Sequence, residues 1–169
     1  MKKMFFSALA LLGFAISSNA QATATATATA TIVTPISISK TADMSFGNIA
    51  VQAGTGGTVI LAPAGTRTTG GAGGVTLPAT TGTVTAAAFT VNGNGSYTYA
   101  ITLPGTVTLT RASGSETMDA TSFTSTPSGT GTLSGGTQNL TVGATLAVAA
   151  AQVPGVYTSG NFNVTVNYN

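Results

Sequence analysis

Three carboxylates, Asp43, Glu116 and Asp119, and three cations, Lys40, Arg67 and Arg111, are all the charge that follows Lys2 and Lys3 in this 169-residue chain. There is no histidine and no cysteine. Imidazole bases, thiol nucleophiles and the usual zinc ligands are therefore missing. Glu116 and Asp119, in SGSETMDATSF, come nearest to a carboxylate pair or a calcium site. Residues at that spacing point to opposite faces of a strand, so a shared site would need a loop there. Solvated charges at a turn and strand entry are the plainer reading. Arg67 and Arg111 read as isolated solubilising charges.

The glycine runs at residues 54–57 and 70–74 lead into neither Gly-Lys-Ser/Thr nor a helix start, so they read as loops and not as phosphate cradles. Asn94-Gly95-Ser96, Asn139-Leu140-Thr141 and Asn163-Val164-Thr165 fit the N-glycosylation pattern, but 34 threonines make such matches expected by chance. Tyr97, Tyr99, Tyr157 and Tyr168 could stack on a sugar, although on strand faces or beside a turn they serve a core more simply. The expectation is a protein that is not an enzyme and has no cofactor and no metal.

The elements that must carry these residues begin after a leader. MKKMFFSALALLGFAISSNA joins two lysines, an apolar run from Met4 to Ile16 and small residues at Ser18 and Ala20, the three parts of a secretory signal cleaved before Gln21. The apolar run is shorter than the roughly 20 residues a spanning helix needs. Residues 1–20 are thus expected to leave, and no transmembrane segment is expected afterwards. The positive charge leaves with them, since the three remaining cations balance the three anions. A nucleic-acid partner would require a clustered basic face, which this sequence lacks. Export without cysteine means stability must come from strand pairing and core packing, with no disulfide.

Threonine and the 22 glycines give the composition of strands and turns, and the fold class expected is all-β: an antiparallel immunoglobulin-like sandwich over residues 36–169. Too few aromatics are present for the girdles of an outer-membrane barrel. Tyr97, Tyr99, Ile101 and Leu103 alternate after NGNG, which predicts a hairpin with AAFTV, where Phe89 and Val91 lie. Leu140, Val142, Ala144, Leu146 and Val148 predict a strand through LAVAAAQ. In the last segment Phe162, Val164, Val166 and Tyr168 share one side, expected to be core, and asparagines and Thr165 the other. GTRTTGGAGG, residues 65–74, and TPSGTGTLSGG, residues 126–136, predict exposed mobile loops.

Ahead of the domain stands QATATATATATIVTP, residues 21–35, an extension read as a candidate edge or donor strand. Ala22, Ala24, Ala26, Ala28, Ala30 and Ile32 fall on one face, and Val33 joins the threonines on the other. The repeat carries little register information, because a slip by two residues restores the same faces. Ile32, Val33 and Pro35 must set the register.

ISISKTADMSFGNIAV, TVILAPAGTRTTGG, AAFTVNGNGSYTYAITLP and LTVGATLAVAAAQVPGVYTSGNFNVTVNYN together resemble the secreted bacterial family catalogued as domain of unknown function 4402. Phe46-Gly47-Asn48-Ile49, Val142-Gly143-Ala144 and Gly155 to Asn169 are the most specific parts. The family has no established activity. It is similar in turn to spore coat protein U-like domains and to chaperone and usher fimbrial subunits, which are sandwiches that lend a strand, though many of those carry a disulfide. The resemblance implies a secreted or cell-surface structural or adhesive protein, a fimbrial or coat subunit reached via the periplasm. Its partners would be related subunits or further copies, met by strand addition, and a periplasmic chaperone. A soluble glycan- or matrix-binding sandwich is the alternative.

Overall fold

The computed structural model describes residues 20–169, so the expected signal lies outside them but for Ala20. The chain divides after Ile32 into two units. In the first, residues 20–32 belong to no strand and every one is exposed, Ile32 at 94%.

The second unit holds fifteen strands among the described residues and no helix. In chain order they begin with β1 (Ser37–Ala42), β2 (Ser45–Phe46), β3 (Ala50–Val51), β4 (Gly57–Leu61) and β5 (Arg67–Gly70). There follow β6 (Val75–Thr76), β7 (Val84–Thr85), β8 (Ala87–Asn92), β9 (Thr98–Thr102) and β10 (Val107–Arg111). The last are β11 (Thr117–Thr126), β12 (Thr130–Thr132), β13 (Thr137–Val148), β14 (Tyr157–Ser159) and β15 (Thr165–Tyr168). One sheet has eight strands in the path β1-β8-β13-β11-β10-β14, with β4 beside β13 and β5 beside β4. The opposing layer is broken into β12-β9-β15, β2-β7 and β3-β6. Every pairing is antiparallel. The result is an all-β sandwich.

Alternation explains the central strand. Leu140, Val142, Ala144, Leu146 and Val148 of β13 are all buried, and β13 pairs with β8, β4 and β11. Gly143, on the opposite face, packs against the Leu61–Ala62–Pro63 backbone; a Cβ built there would lie 2.7 Å from the Ala62 carbonyl carbon. Only glycine fits without moving main chain, which gives Val142-Gly143-Ala144 a physical reason. In β11 the inward residues change parity, from Met118 and Ala120 to Phe123 and Ser125. The ladder to β13 slips between Thr121 and Thr124, where Ser122 sits at φ 50, a bulge that re-aims Phe123 inward.

Two core clusters result. One gathers Phe46, Val59, Leu61, Val75, Ala120, Leu146 and Val148; the other gathers Val91, Tyr99, Leu133, Leu140, Val142 and Val166. Met44 and Phe123 pack against both. Phe162, Val164 and Tyr168 are half-buried against the second cluster, while Asn161, Asn163, Thr165, Asn167 and Asn169 are exposed.

Three local expectations are corrected. NGNG joins no hairpin: β8 pairs with β1 and β13 in the large sheet, whereas β9 pairs with β12 and β15 in the other layer. The turn instead docks the last strand, since Asn94 N–H donates to the Tyr168 hydroxyl at 2.6 Å and that hydroxyl donates to Thr34 O at 2.9 Å. Residues 65–74 are not a mobile loop, because Thr68 and Thr69 of β5 pair with Ile60 and Val59 of β4. Residues 126–136 likewise contain β12 and the buried Leu133, and Gly131 lies against the Tyr99 ring, where a side chain would collide. Backbone pairing decided these segments, and they needed little apolar content to join a sheet.

Val166 is 7% exposed, so Val166→Asp buries an unpaired charge and is expected to cost several kcal/mol in denaturant unfolding. Thr165→Asp on the wet side should stay within about 0.5 kcal/mol.

Candidate functional site

The divided second layer leaves part of the large sheet bare. Val107 and Leu109 of β10 and Met118 of β11 are only half-buried, and with Ala120, Leu146 and Val148 they floor an open groove of about 710 Å³. One wall is the run Met44–Val51, and the other is Val153–Tyr157 with Phe162. No charged residue lines it. Its polar side chains are Ser45, Asn48, Thr83, Gln152, Tyr157 and Ser159.

The first wall is a strand edge. Ser45 and Phe46 pair with Thr85 and Val84, Ala50 and Val51 pair with Thr76 and Val75, and no strand among the described residues takes their other side. Such an edge presents unpaired N–H and C=O groups. Between its two halves the chain turns at Gly47, with φ 69. Arg67 holds that turn: its guanidinium donates to Phe46 O, to Asn48 O at 2.8 Å and to Thr81 O at 3.3 Å. Asn48 N–H donates to Thr81 O at 2.7 Å, and Ser45 Oγ to Thr83 O at 2.7 Å. Arg67 is therefore a wall brace, and the reading of it as a lone solubilising charge is corrected.

The second wall is tied by Tyr157. Gln152 Nε2 donates to the Tyr157 hydroxyl at 2.8 Å, which donates to Val153 O at 2.7 Å, and Ala112 N–H pins Val156 O to the end of β10 at 2.8 Å. Above these bonds Val156 is 69% exposed. Arg111, the other cation read as isolated, closes the β10–β11 hairpin through its Nε to Glu116 Oε2 at 2.6 Å. The hydrogen bond from Arg111 holds the Glu116 carboxyl below its ordinary range, helped by backbone donors. In the second cluster, burial pushes the Tyr99 hydroxyl up, and it donates to Gln138 Oε1 at 2.8 Å.

The acids are not brought together for chemistry. Asp43 pairs with Lys40, Glu116 with Arg111, and Asp119 accepts from Thr108 Oγ1 at 2.7 Å. Among the described residues no three metal-ligating acids gather. No helix among them is long and apolar enough to cross a membrane. What the groove offers is an apolar floor beside a free backbone edge, which can hold a partner by burial and main-chain pairing.

A family model described as a domain of unknown function, DUF4402, matches residues 36–168. The chain belongs to this family. Neither a curated protein nor a solved structure matches it. Within this DUF4402 domain, Phe46-Gly47-Asn48-Ile49 is the braced turn of the groove wall and Val142-Gly143-Ala144 is the close approach of β13 to the chain leaving β4. Sequence reasoning missed the groove itself. Its available signals were the half-apolar β10 and β11, whose Leu109 and Met118 lack a covering strand in sequence order.

Lysine cannot fork to three carbonyls, so Arg67→Lys is expected to lose roughly 1–3 kcal/mol. Faster amide exchange at Asn48, relative to β13, would locate the damage at the turn. Glu116, with its pKa lowered on folding, adds stability that is full above its unfolded value and is lost as pH falls through the folded one. Glu116→Gln should therefore flatten the acid limb of a melting-temperature profile and leave the alkaline limb unchanged.

Proposed function

We propose that the protein is a secreted or cell-surface structural subunit that joins further copies by strand addition, reaching the surface through the periplasm after loss of residues 1–20. One observation carries this reading: residues 20–32 hold the strand-patterned Ala-Thr repeat, yet they are unpaired and wholly exposed. An extended chain with that alternation gains its hydrogen bonds by completing another sheet. The folded domain has free strand edges to offer, at β1, β14, β15 and the β2–β3 run.

Electrostatics favour the same reading. A domain with balanced charge has little long-range repulsion between copies. Hydroxyl and amide side chains keep its outer faces wet, so association is directed to backbone edges and apolar patches. The immunoglobulin-like topology, the similarity to fimbrial and spore coat U-like subunits and a chaperone that guards the extension before assembly belong to this proposal.

The test is to recover the exported full-length product and measure its N terminus and mass distribution. A chain starting at Gln21 that forms concentration-dependent multimers, and becomes a folded monomer when residues 22–31 are deleted, is the expected result. A strictly monomeric exported chain with its extension intact would overturn the proposal.

A further inference from the structure

Resting on that reading, we infer that the groove between Met44–Val51 and Val153–Tyr157 receives residues 22–33 of a second copy, with Ile32 as its anchor. The choice among edges follows from what each borders. β1 is bulged between Lys40 and Ala42 and carries Lys40, two devices that discourage strand addition. β14 is three residues long. β15 lies close to β1, and its Tyr168 is engaged with Thr34 and Asn94. β14 borders the same apolar volume through Tyr157 and Ser159 but is too short to seat the segment, and the end strands β5 and β12 do not line it, so the β2–β3 run is the edge along which an added strand would bury side chains as well as pair its backbone.

The occupant fits in three respects. Groove and segment are both uncharged, so neither strands a charge on burial. Twelve extended residues reach about 40 Å, longer than the roughly 26 Å of an eight-residue wall, so the segment can run the wall's whole length. The alternation places five alanines and Ile32 on one face. Alanine methyls suit a shallow trench but allow the strand to slip by two residues, a shift of roughly 7 Å. Ile32 is the one bulky group on that face, and its 94% exposure is the largest of any bulky apolar side chain described. Seating it over the floor ends the slippage.

The chain has no native cysteine, so disulfide trapping reads single pairs. Full-length exported chains would carry Ala28→Cys with, in turn, Asn48→Cys or Val156→Cys at the groove walls, and Ser39→Cys or Asn167→Cys at the β1 and β15 edges. Oxidised ladders of multimers at the groove positions, with Ile32→Ala weakening association roughly 10- to 100-fold, are expected. Uptake of an apolar dye by the monomer should fall on assembly. Ladders confined to Ser39→Cys or Asn167→Cys would overturn the groove assignment and leave strand addition standing. Bridges within single chains would show the groove filled by the molecule's own extension and overturn the role of a second copy. Dye uptake undiminished in multimers would give the groove to a small apolar ligand instead. Monomers without any bridge would overturn both this inference and the assembly reading.

Discussion

The pairing of β13 is the constraint on which the rest depends. This strand meets β8 along its first half, β4 along its second and β11 on its other side, so its backbone is satisfied on both edges. Its inner face supplies side chains to both core clusters. With no disulfide to limit the unfolded chain, cooperativity has to come from such shared contacts. Gly143 is where the geometry is tightest, because β13 there touches the chain leaving β4. The long strand therefore sets where β4 ends and where the overlying segments begin.

The layer above β13 is built differently. Short pieces, two of them pairs of two-residue strands, are held by side chain to main chain bonds as much as by ladders. Arg67 substitutes for missing strand pairing by donating to three carbonyls, and Tyr168 ties the last strand to the start of the domain. A layer assembled in patches does not close, and the bare floor of β10 and β11 is the consequence. The same shortage of regular pairing leaves the wall Met44–Val51 with an open edge.

A groove with no charged lining has limited chemistry. It can bury apolar surface and complete hydrogen bonds, and a partner would be selected by shape and alternation. Charge is kept elsewhere: Lys40 with Asp43, exposed at the end of β1, and Arg111 with Glu116 at a hairpin end. These exposed pairs are local clasps of small energetic weight.

Much was legible in the sequence where a strand is long and half-buried. β13 and the last segment declare their faces by alternation, and glycine and threonine with few charges declare an all-β chain, because burial on one side of a pleat imposes a period of two. Partner choice was not legible. NGNG fits a hairpin locally, yet the chain crosses between layers there, since Tyr168 comes from far along the chain to occupy the turn. Arg67 among glycines and threonines looked solvated, and the carbonyls it holds are distant in sequence. The bulge at Ser122 changed the faces of β11. The sequence by itself determined the class, the balance of charge and the alternating extension, all of which are local properties of composition and spacing. Only the tertiary structure decided which strands adjoin and where the second layer stays open, because backbone hydrogen bonds are nearly independent of side-chain identity and their partners are set by the packing of the whole domain.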